Sequence, residues 1–258
     1  MYGIIKLPLV PLRKNASESS EMTSQLLYGQ VIEIIEIQDK WLLVRNLDDN
    51  YIGWADKKMI HFANIENDNI SKDLKSYIVN VPLLEFRNSN SNEKFILIGG
   101  SKLNFVEYNK LNINEKTYKI DPIDLIYYED RNIDKISYFA EQYLNAPYLW
   151  GGKSILGIDC SGLVQVVYSM IGIFLPRDAS QQVESGEVID FISEAKVGDL
   201  AFFENAEGRI VHVGIMLNSQ QIIHASGWVK IEQIDSQGII SAQNGEYTHK
   251  LRVIKRLK

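Results

Sequence analysis

The sequence predicts an α+β protein of 258 residues, in which strand-only segments precede a segment that runs helices first and strands second. Three observations predict it. Short β-prone runs separated by turn residues fill the first half of the chain, with no convincing helical period between them. At about residue 131 the texture changes to apolar residues at helical spacing. From Val197 onward, β-prone runs return and continue almost to the C-terminus.

Residues 1–62 begin with the apolar, β-prone run Tyr2 to Val10. Val31 to Ile37 mixes β-branched residues with charges, Trp41 to Arg45 follows a polar turn, and Tyr51 to Ala55 follows the turn composition Leu47-Asp-Asp-Asn50. Strands this short and closely spaced suggest a small β-barrel. The pattern Gly29-Gln-x-Ile-Glu33, Trp41, Val44-Arg45, Tyr51-x-Gly-Trp54 resembles a bacterial SH3-like domain. In residues 63–130, Asn64 to Lys75 is polar and reads as a linker or a short helix. Tyr77 to Leu84 and Lys94 to Gly100 read as strands joined by the Asn/Ser-rich turn Arg87 to Asn92. Lys102 to Tyr108 and Thr117 to Asp121 continue in the same style, giving a second, divergent SH3-like barrel.

In residues 131–258, Ile133, Ile136, Ala140, Tyr143 and Leu144 mark one face of a helix that ends before Pro147. A Gly-rich approach (Gly151, Gly152, Gly157) then leads to Cys160 and the apolar run Leu163 to Ile171. Leu163, Val166, Val167 and Met170 fall at helical spacing, which places Cys160 in or just before the first turn of a buried helix. The unpaired N–H groups and positive partial charge of a helix N-terminus favour thiolate over thiol. Asp178 or Ser180 is positioned to cap a short helix. Val197 to Glu204, Ile210 to Leu217, Gln221 to Ala225, Trp228 to Gln233 and Leu251 to Lys255 read as antiparallel strands.

Composition excludes several classes. A formal charge of −6 argues against nucleic acid or an anionic membrane as partner. The single cysteine permits no internal disulfide. The N-terminal residues lack a basic segment followed by an apolar core and a cleavage site, and no apolar run approaches the roughly 18 residues of a membrane helix. The expected location is cytoplasmic. The sequence carries no signal for an oligomeric state.

A lone cysteine is more often a small buried hydrophobe than a nucleophile, so its surroundings decide. Of four histidines, His212 sits mid-strand and His224 sits on the next strand, across a turn near Asn218 to Gln220. In such a hairpin the two are cross-strand neighbours, on one face if the register allows. A base oriented by a further polar group is the arrangement that activates a nucleophile. Cys160 and these histidines do not show the ligand spacing of a zinc site, and neither metal nor cofactor is expected. His61 and His249, in polar or terminal contexts, receive no role.

The motifs Tyr148-x-Trp-Gly-Gly152, Gly157-x-Asp-Cys-Ser-Gly-Leu-Val164, Pro176-Arg-Asp-x-Ser180, Gly198-Asp-Leu-x-Phe-Phe203, His212-Val-Gly-Ile215 and His224-Ala-Ser226, in that order, resemble the NlpC/P60 cysteine peptidases. The resemblance implies a papain-like catalytic domain over 131–258, behind the two SH3-like domains. It makes Cys160 the nucleophile, His212 the general base and acid, and His224 the residue that orients His212, with no carboxylate needed in that place. With SH3-like domains in front, the chain looks like the γ-D-glutamyl-L-diamino acid endopeptidases that act on murein peptides with a free N-terminal L-Ala. That likeness assigns Tyr148 to the oxyanion and Asp159, Glu21 and Tyr51 to the substrate ammonium. Ser161 and Ser180 fall to the D-Glu α-carboxylate. Glu18, in the same loop as Glu21, is an alternative. Each residue also has a plain reading: Asp159 as a helix cap, the serines as backbone partners, Glu21 as a solvated charge, Tyr51 as barrel core. Other functions remain open on the same residues: a secreted cell-wall hydrolase acting on attached stem peptides, a non-catalytic wall-peptide-binding module, or an acyltransferase that passes a thioester to an amine.

Overall fold

A computed structural model describes residues 1–63, 77–88, 91, 93–103, 106–107, 110–113, 116–119, 125–127 and 132–257. The first group of strands is β1 (Tyr2–Ile4), β2 (Leu9–Arg13), β3 (Met22–Leu27), β4 (Val31–Gln38), β5 (Trp41–Asn46), β6 (Ile52–Asp56) and β7 (His61–Ala63). They form one antiparallel sheet in the order β3-β2-β6-β5-β4-β1-β7, curled into a small barrel. Ile5, Val10, Leu12, Leu26, Ile32 and Leu42 are fully or almost fully buried in its core. The run Tyr2 to Val10 is two strands rather than one. The break falls at Leu7-Pro8, where proline has no N–H to give to a ladder. Strand β3, Met-Thr-Ser-Gln-Leu-Leu, was not expected. Its polar residues Ser24 and Gln25 are buried against the second half of the molecule rather than facing water.

The middle strands are β8 (Tyr77–Val79), β9 (Leu83–Arg87), β10 (Lys94–Ile98), β11 (Lys102–Leu103), β12 (Val106–Glu107), β13 (Lys110–Ile113), β14 (Lys116–Lys119) and β15 (Leu125–Tyr127). They pair as β9 with β10, as β11-β8-β15, and as β12-β13-β14, all antiparallel. The expected strand Tyr77 to Leu84 is split by Asn80 to Pro82. The polar stretch Asn64 to Lys75 lies outside the described residues, as do Ser89, Asn90 and Asn92 of the expected turn. This group is wedged between the other two. The Lys102 N–H donates to the Tyr28 carbonyl at 2.9 Å.

The last segment begins with a 3₁₀ turn, Ile133–Lys135, and α1 (Ile136–Glu141), shorter than the helical spacing predicts. Tyr143 and Leu144 continue its apolar face in turns. A small hairpin, β16 (Lys153–Ser154) and β17 (Gly157–Ile158), delivers the chain to α2 (Cys160–Ser169), every residue of which is buried. Then come α3 (Ala179–Gln182), β18 (Glu187–Ile189), β19 (Leu200–Glu204), β20 (Ile210–Asn218), β21 (Gln221–Ser226), β22 (Trp228–Ile234), β23 (Gly238–Ile240) and β24 (Tyr247–Arg256). Their sheet order is β18-β24-β19-β20-β21-β22-β23, and β24 also pairs with β23, so strands β19 to β24 close on themselves.

The strand period of two divides this sheet's faces. Leu200, Phe202, Val213, Ile215, Ile223 and Ala225 turn outward onto α1 and α2. Ala201, Phe203, Met216, Ile222, Ile234 and Ile239 fill a separate inner cluster. The architecture is α+β, with a helix-backed sheet behind the N-terminal barrel. No helix of the described residues is long and apolar enough to cross a membrane.

Candidate active site

The site starts at the first residue of α2. Asp159 is its N-cap, in extended conformation, and its Oδ1 accepts from the Gly162 N–H at 2.7 Å. Oδ2 accepts from the Gly151 N–H at 2.8 Å. Gly151 sits at φ +77, and a Cβ there would lie 2.6 Å from the Met22 carbonyl oxygen of the first barrel, so only glycine fits. The same carboxylate takes both Arg177 Nη atoms, at 3.0 and 2.6 Å, a two-pronged pair that is itself buried. Arg177 also donates to the Ser161 hydroxyl at 2.8 Å and, through Nε, to the Ser24 hydroxyl of β3 at 3.0 Å. Asp159 is thus a helix cap and an ion-pair partner that also borders the cavity described below. Arg177, 1% exposed, has no role in the sequence reading although it lies inside the motif Pro176 to Ser180.

Burial and the Asp159 charge push the Cys160 thiol up to about 11, while the Val213 and Ser161 backbone N–H groups and the Arg177 charge act in the opposite sense. Burial, followed by the neighbouring His249 and His224 rings, holds His212 well below its ordinary value. The free site therefore rests as neutral thiol and neutral imidazole, not as the thiolate the helix N-terminus led us to expect. Burial disfavours the charged thiolate, and a carboxylate already caps that helix end. Among the described residues no hydrogen bond joins the Cys160 thiol to His212, a separation common in substrate-free sites.

His212 and His224 lie on the same face of adjacent strands. Continuing the Ile215–Ile223 register places Gly214 opposite His224, so the two histidines meet diagonally. A Cβ at Gly214 would come 2.9 Å from the His224 Cβ, which explains the glycine. His212 Nε2 and His224 Nδ1 are 2.9 Å apart, and His224 Nε2 lies 2.9 Å from Glu232 Oε2. Glu232, on β22, is 3% exposed. Burial would raise its carboxyl, but bonds from His224 and the Ala242 N–H and the charge of Lys230 bring it down to about 2. It is therefore an anion, and His224 carries its proton on Nε2, leaving Nδ1 to accept from His212. A histidine, not a carboxylate, stands next to His212, and the structure adds a carboxylate behind it that the sequence reading did not anticipate. A charged residue on the inner face of β22 was the available signal. His249, also given no role, stacks on His212 with ring centroids 4.2 Å apart, because the pairing of β24 with β23 brings it there.

A cavity of about 650 Å³ opens over Cys160. One wall comes from the catalytic half: Tyr148, Asp159, Cys160, Ser161, Arg177, Asp178 and Ser180. The other comes from the first barrel: Lys14, Glu21, Thr23, Tyr51 and Ile52. Glu21, not Glu18, faces the site. It accepts from the Trp150 indole N–H at 2.8 Å and pairs with Lys14 at 3.4 Å, whereas Glu18 pairs with Lys40. Burial raises the Tyr148 phenol to about 12, and also raises Tyr51, so both are hydrogen-bond donors at neutral pH. The Ser161 hydroxyl accepts from Arg177 and points to Asp159 at 3.4 Å, while Ser180 is exposed in the first turn of α3. The cavity thus gathers Cys160 and all six expected substrate-binding residues. His212 and His224 are not among the residues that line it, although their strand neighbours Ile210 and Val211 are.

Residues 145–250 match the NlpC/P60 family, and residues 12–60 match the bacterial dipeptidyl-peptidase Sh3 domain. The chain carries an NlpC/P60 domain behind a bacterial SH3 domain. It is a cysteine peptidase. A γ-D-glutamyl-L-lysine dipeptidyl-peptidase from Bacillus cereus is 23% identical over 253 residues, covering 89% of this chain and 75% of that protein. Dipeptidyl-peptidase 6 from Lysinibacillus sphaericus is 28% identical over 262 aligned residues, covering 92% and 93%. The crystal structure of an NlpC/P60 family protein from Bacillus cereus superposes with a TM-score of 0.84 at 18% identity, covering 99% of both chains, a likeness of fold. The NlpC/P60 domain here is thus joined to its SH3 domain across a shared cavity.

Proposed function

We propose that this peptidase hydrolyses the bond between γ-D-glutamate and an L-diamino acid (diaminopimelate or lysine) in murein peptides that have a free N-terminal L-Ala. The observation that carries the reading is the cavity wall: Glu21 and Tyr51 of the first barrel face the same space as Cys160. Its volume of about 650 Å³ suits a short peptide. A protein named γ-D-glutamyl-L-lysine dipeptidyl-peptidase aligns over 89% of this chain, which supports the reading.

In this reading the substrate ammonium is held by Glu21 and the Tyr51 hydroxyl, with the Asp159 charge beside them. Ser161 and Ser180 take the D-Glu α-carboxylate, with the Arg177 guanidinium behind Ser161 adding positive potential. Cys160 Sγ attacks the γ-carbonyl. Because His212 Nε2 is engaged with His224, the thiol proton goes to Nδ1 of His212. Backbone N–H groups at the start of α2 and the Tyr148 hydroxyl hold the oxyanion. The imidazolium then protonates the leaving amine, a thioester remains on Cys160, and water activated by His212 releases L-Ala-γ-D-Glu. His224 and Glu232 fix the tautomer that lets Nδ1 accept. No metal or cofactor takes part. A peptidase that requires a free amine acts on released peptides, which suits recycling in the cytoplasm. The organisation that goes with this reading is 1–62, 63–130 and 131–258.

The test compares L-Ala-γ-D-Glu-diaminopimelate with its N-acetylated form. Cleavage of the free peptide alone is expected. Equal cleavage of both would sink the ammonium pocket and favour a hydrolase of attached stem peptides, and cleavage of neither would leave a binding module.

A further inference from the structure

We propose that His212, His224 and His249 form a reversible inhibitory site for a transition-metal ion, with Zn²⁺ the fitting species. One nitrogen from each ring lies within 4.8 Å of the other two. Each of the outer two histidines already has its second nitrogen occupied. His224 gives Nε2 to Glu232 at 2.9 Å, and His249 Nδ1 meets the Thr248 hydroxyl at 2.9 Å. That leaves His224 Nδ1 and His249 Nε2 as the nitrogens free of those partners. A carboxylate or hydroxyl behind each imidazole is the arrangement that orients metal-binding histidines.

Tetrahedral zinc, with Zn–N bonds of about 2.0–2.1 Å, needs ligand nitrogens about 3.4 Å apart. The His212 and His224 nitrogens, now 2.9 Å apart, have to open by about half an ångström, and His249, stacked on His212 with 30° between the ring planes, has to swing out of the stack to aim its nitrogen at the same point. His249 is half-buried at the edge of β24, while His212 and His224 are buried, so an ion enters past His249, and a water from that side completes the four.

The inhibition follows from tautomers. Taking the thiol proton requires a free Nδ1 on His212, with the ring proton on Nε2 toward His224. Metal binding requires a free Nε2, which moves that proton to Nδ1. The same ring cannot serve both, so a bound ion blocks proton transfer without touching Cys160. This last step rests on the role proposed above for His212; the metal site does not.

The test uses the full chain stripped with a chelator. Zn²⁺ is titrated by calorimetry and against a chromophoric chelator, Co²⁺ by visible absorption, and peptidase rate is followed in parallel. We expect one Zn²⁺ per chain, and a Co²⁺ spectrum of nitrogen ligands without a thiolate charge-transfer band. Affinity should be unchanged in Cys160→Ser and weaker by at least tenfold in His249→Phe, which keeps the stacked ring and removes the nitrogen; His249→Gln is the second variant should Phe not pack. Peptidase rate should fall with the same Zn²⁺ dependence, each variant measured against its own metal-free rate. Absence of stoichiometric binding, unchanged affinity in both His249 variants, or a thiolate band lost in Cys160→Ser would overturn the site. Stoichiometric binding with full activity would overturn the inhibition and the proton-transfer role of His212, leaving the metal site standing.

Discussion

The two walls of the cavity are built by different means. In the half that carries the catalytic wall, His212, His224 and Glu232 sit on three successive strands, and sheet register alone brings them into a chain of two 2.9 Å contacts. On the barrel wall, Glu21 is exposed and is held by a bond from Trp150, 129 positions away, and by an exposed pairing with Lys14. The first wall is set by short-range pairing and buried polar bonds. The second exists only while two parts of the chain stay docked. Chemistry placed on the first should show in kcat, and recognition placed on the second in the choice of substrate.

The sharpest way to break the catalytic wall is Cys160→Ala. Peptidase activity should fall by at least about 10⁴-fold with folding intact, since removal of a nucleophile leaves only binding and oxyanion stabilisation. Rates on the free murein peptide, together with circular dichroism, check this. Retained activity would move the nucleophile elsewhere in a chain that has no second cysteine.

Next in size is the joint between the walls. Arg177→Met leaves Asp159 buried without its cation and cuts the bond to Ser24, so a loss of about 3–5 kcal/mol is expected, read as a lower melting temperature. Arg177→Lys should recover little, because an ammonium cannot span both carboxylate oxygens. The double variant Asp159→Asn with Arg177→Met should be less damaged than Arg177→Met alone. If it is equally damaged, packing and not the unpaired charge dominates.

These contacts also mark what was legible in the sequence. Cys160 on a buried helix, and His212 with His224 in one hairpin, follow from periodicity and spacing within short windows. Glu232 and His249 reach the same cluster only because β22 and β24 take their places in a sheet that closes on itself, and strand order is not written in local pattern. Arg177 stood in view, yet nothing near it says that its guanidinium reaches back 18 residues to Asp159 and across to Ser24. Strand β3 was missed for a related reason. Its Ser24 and Gln25 look solvent-facing, but Gln25 accepts from the Lys153 N–H at 2.7 Å in the other half of the molecule. Polar residues that satisfy a distant backbone read as loop. The helix from Ile133 was overextended because its apolar face continues through non-helical turns.

The joint has a second charge, and it behaves oppositely. Lys153 is buried beside Asp49 and Asp48, and burial lowers its ammonium from 10.5 to about 8 despite them. Below pH 8 both folded and unfolded chains hold this proton, and the full cost of burying the charge is present. Between about 8 and 10.5 the unfolded chain holds it and the folded chain does not, so stability rises with pH there. The fall in pKa corresponds to about 3 kcal/mol at most. Lys153→Met should therefore raise the melting temperature at pH 7 and remove the extra rise between pH 8 and 10. Asp49 keeps Gln165 and the Tyr51 N–H as donors in that variant. A variant less stable at pH 7 would show that the aspartates outweigh burial.

The smallest effect tests the barrel wall itself. Glu21→Gln keeps an acceptor for the Trp150 indole and removes only the charge. The carboxylate is exposed and already shares Lys14, so its attraction for a substrate ammonium is screened, and a loss of at most about fivefold in kcat/KM for the free peptide is expected. The loss should appear in KM, with kcat nearly unchanged, and the N-acetylated peptide should be cleaved no worse than by the parent. Glu18→Gln, whose side chain pairs with Lys40 away from the cavity, is the control that should change neither. If Glu21→Gln lowers kcat and leaves KM alone, the barrel contributes to the chemistry and the division of labour between the two walls fails. If it lowers the rate on both peptides equally, the barrel wall shapes the cavity without reading the amine.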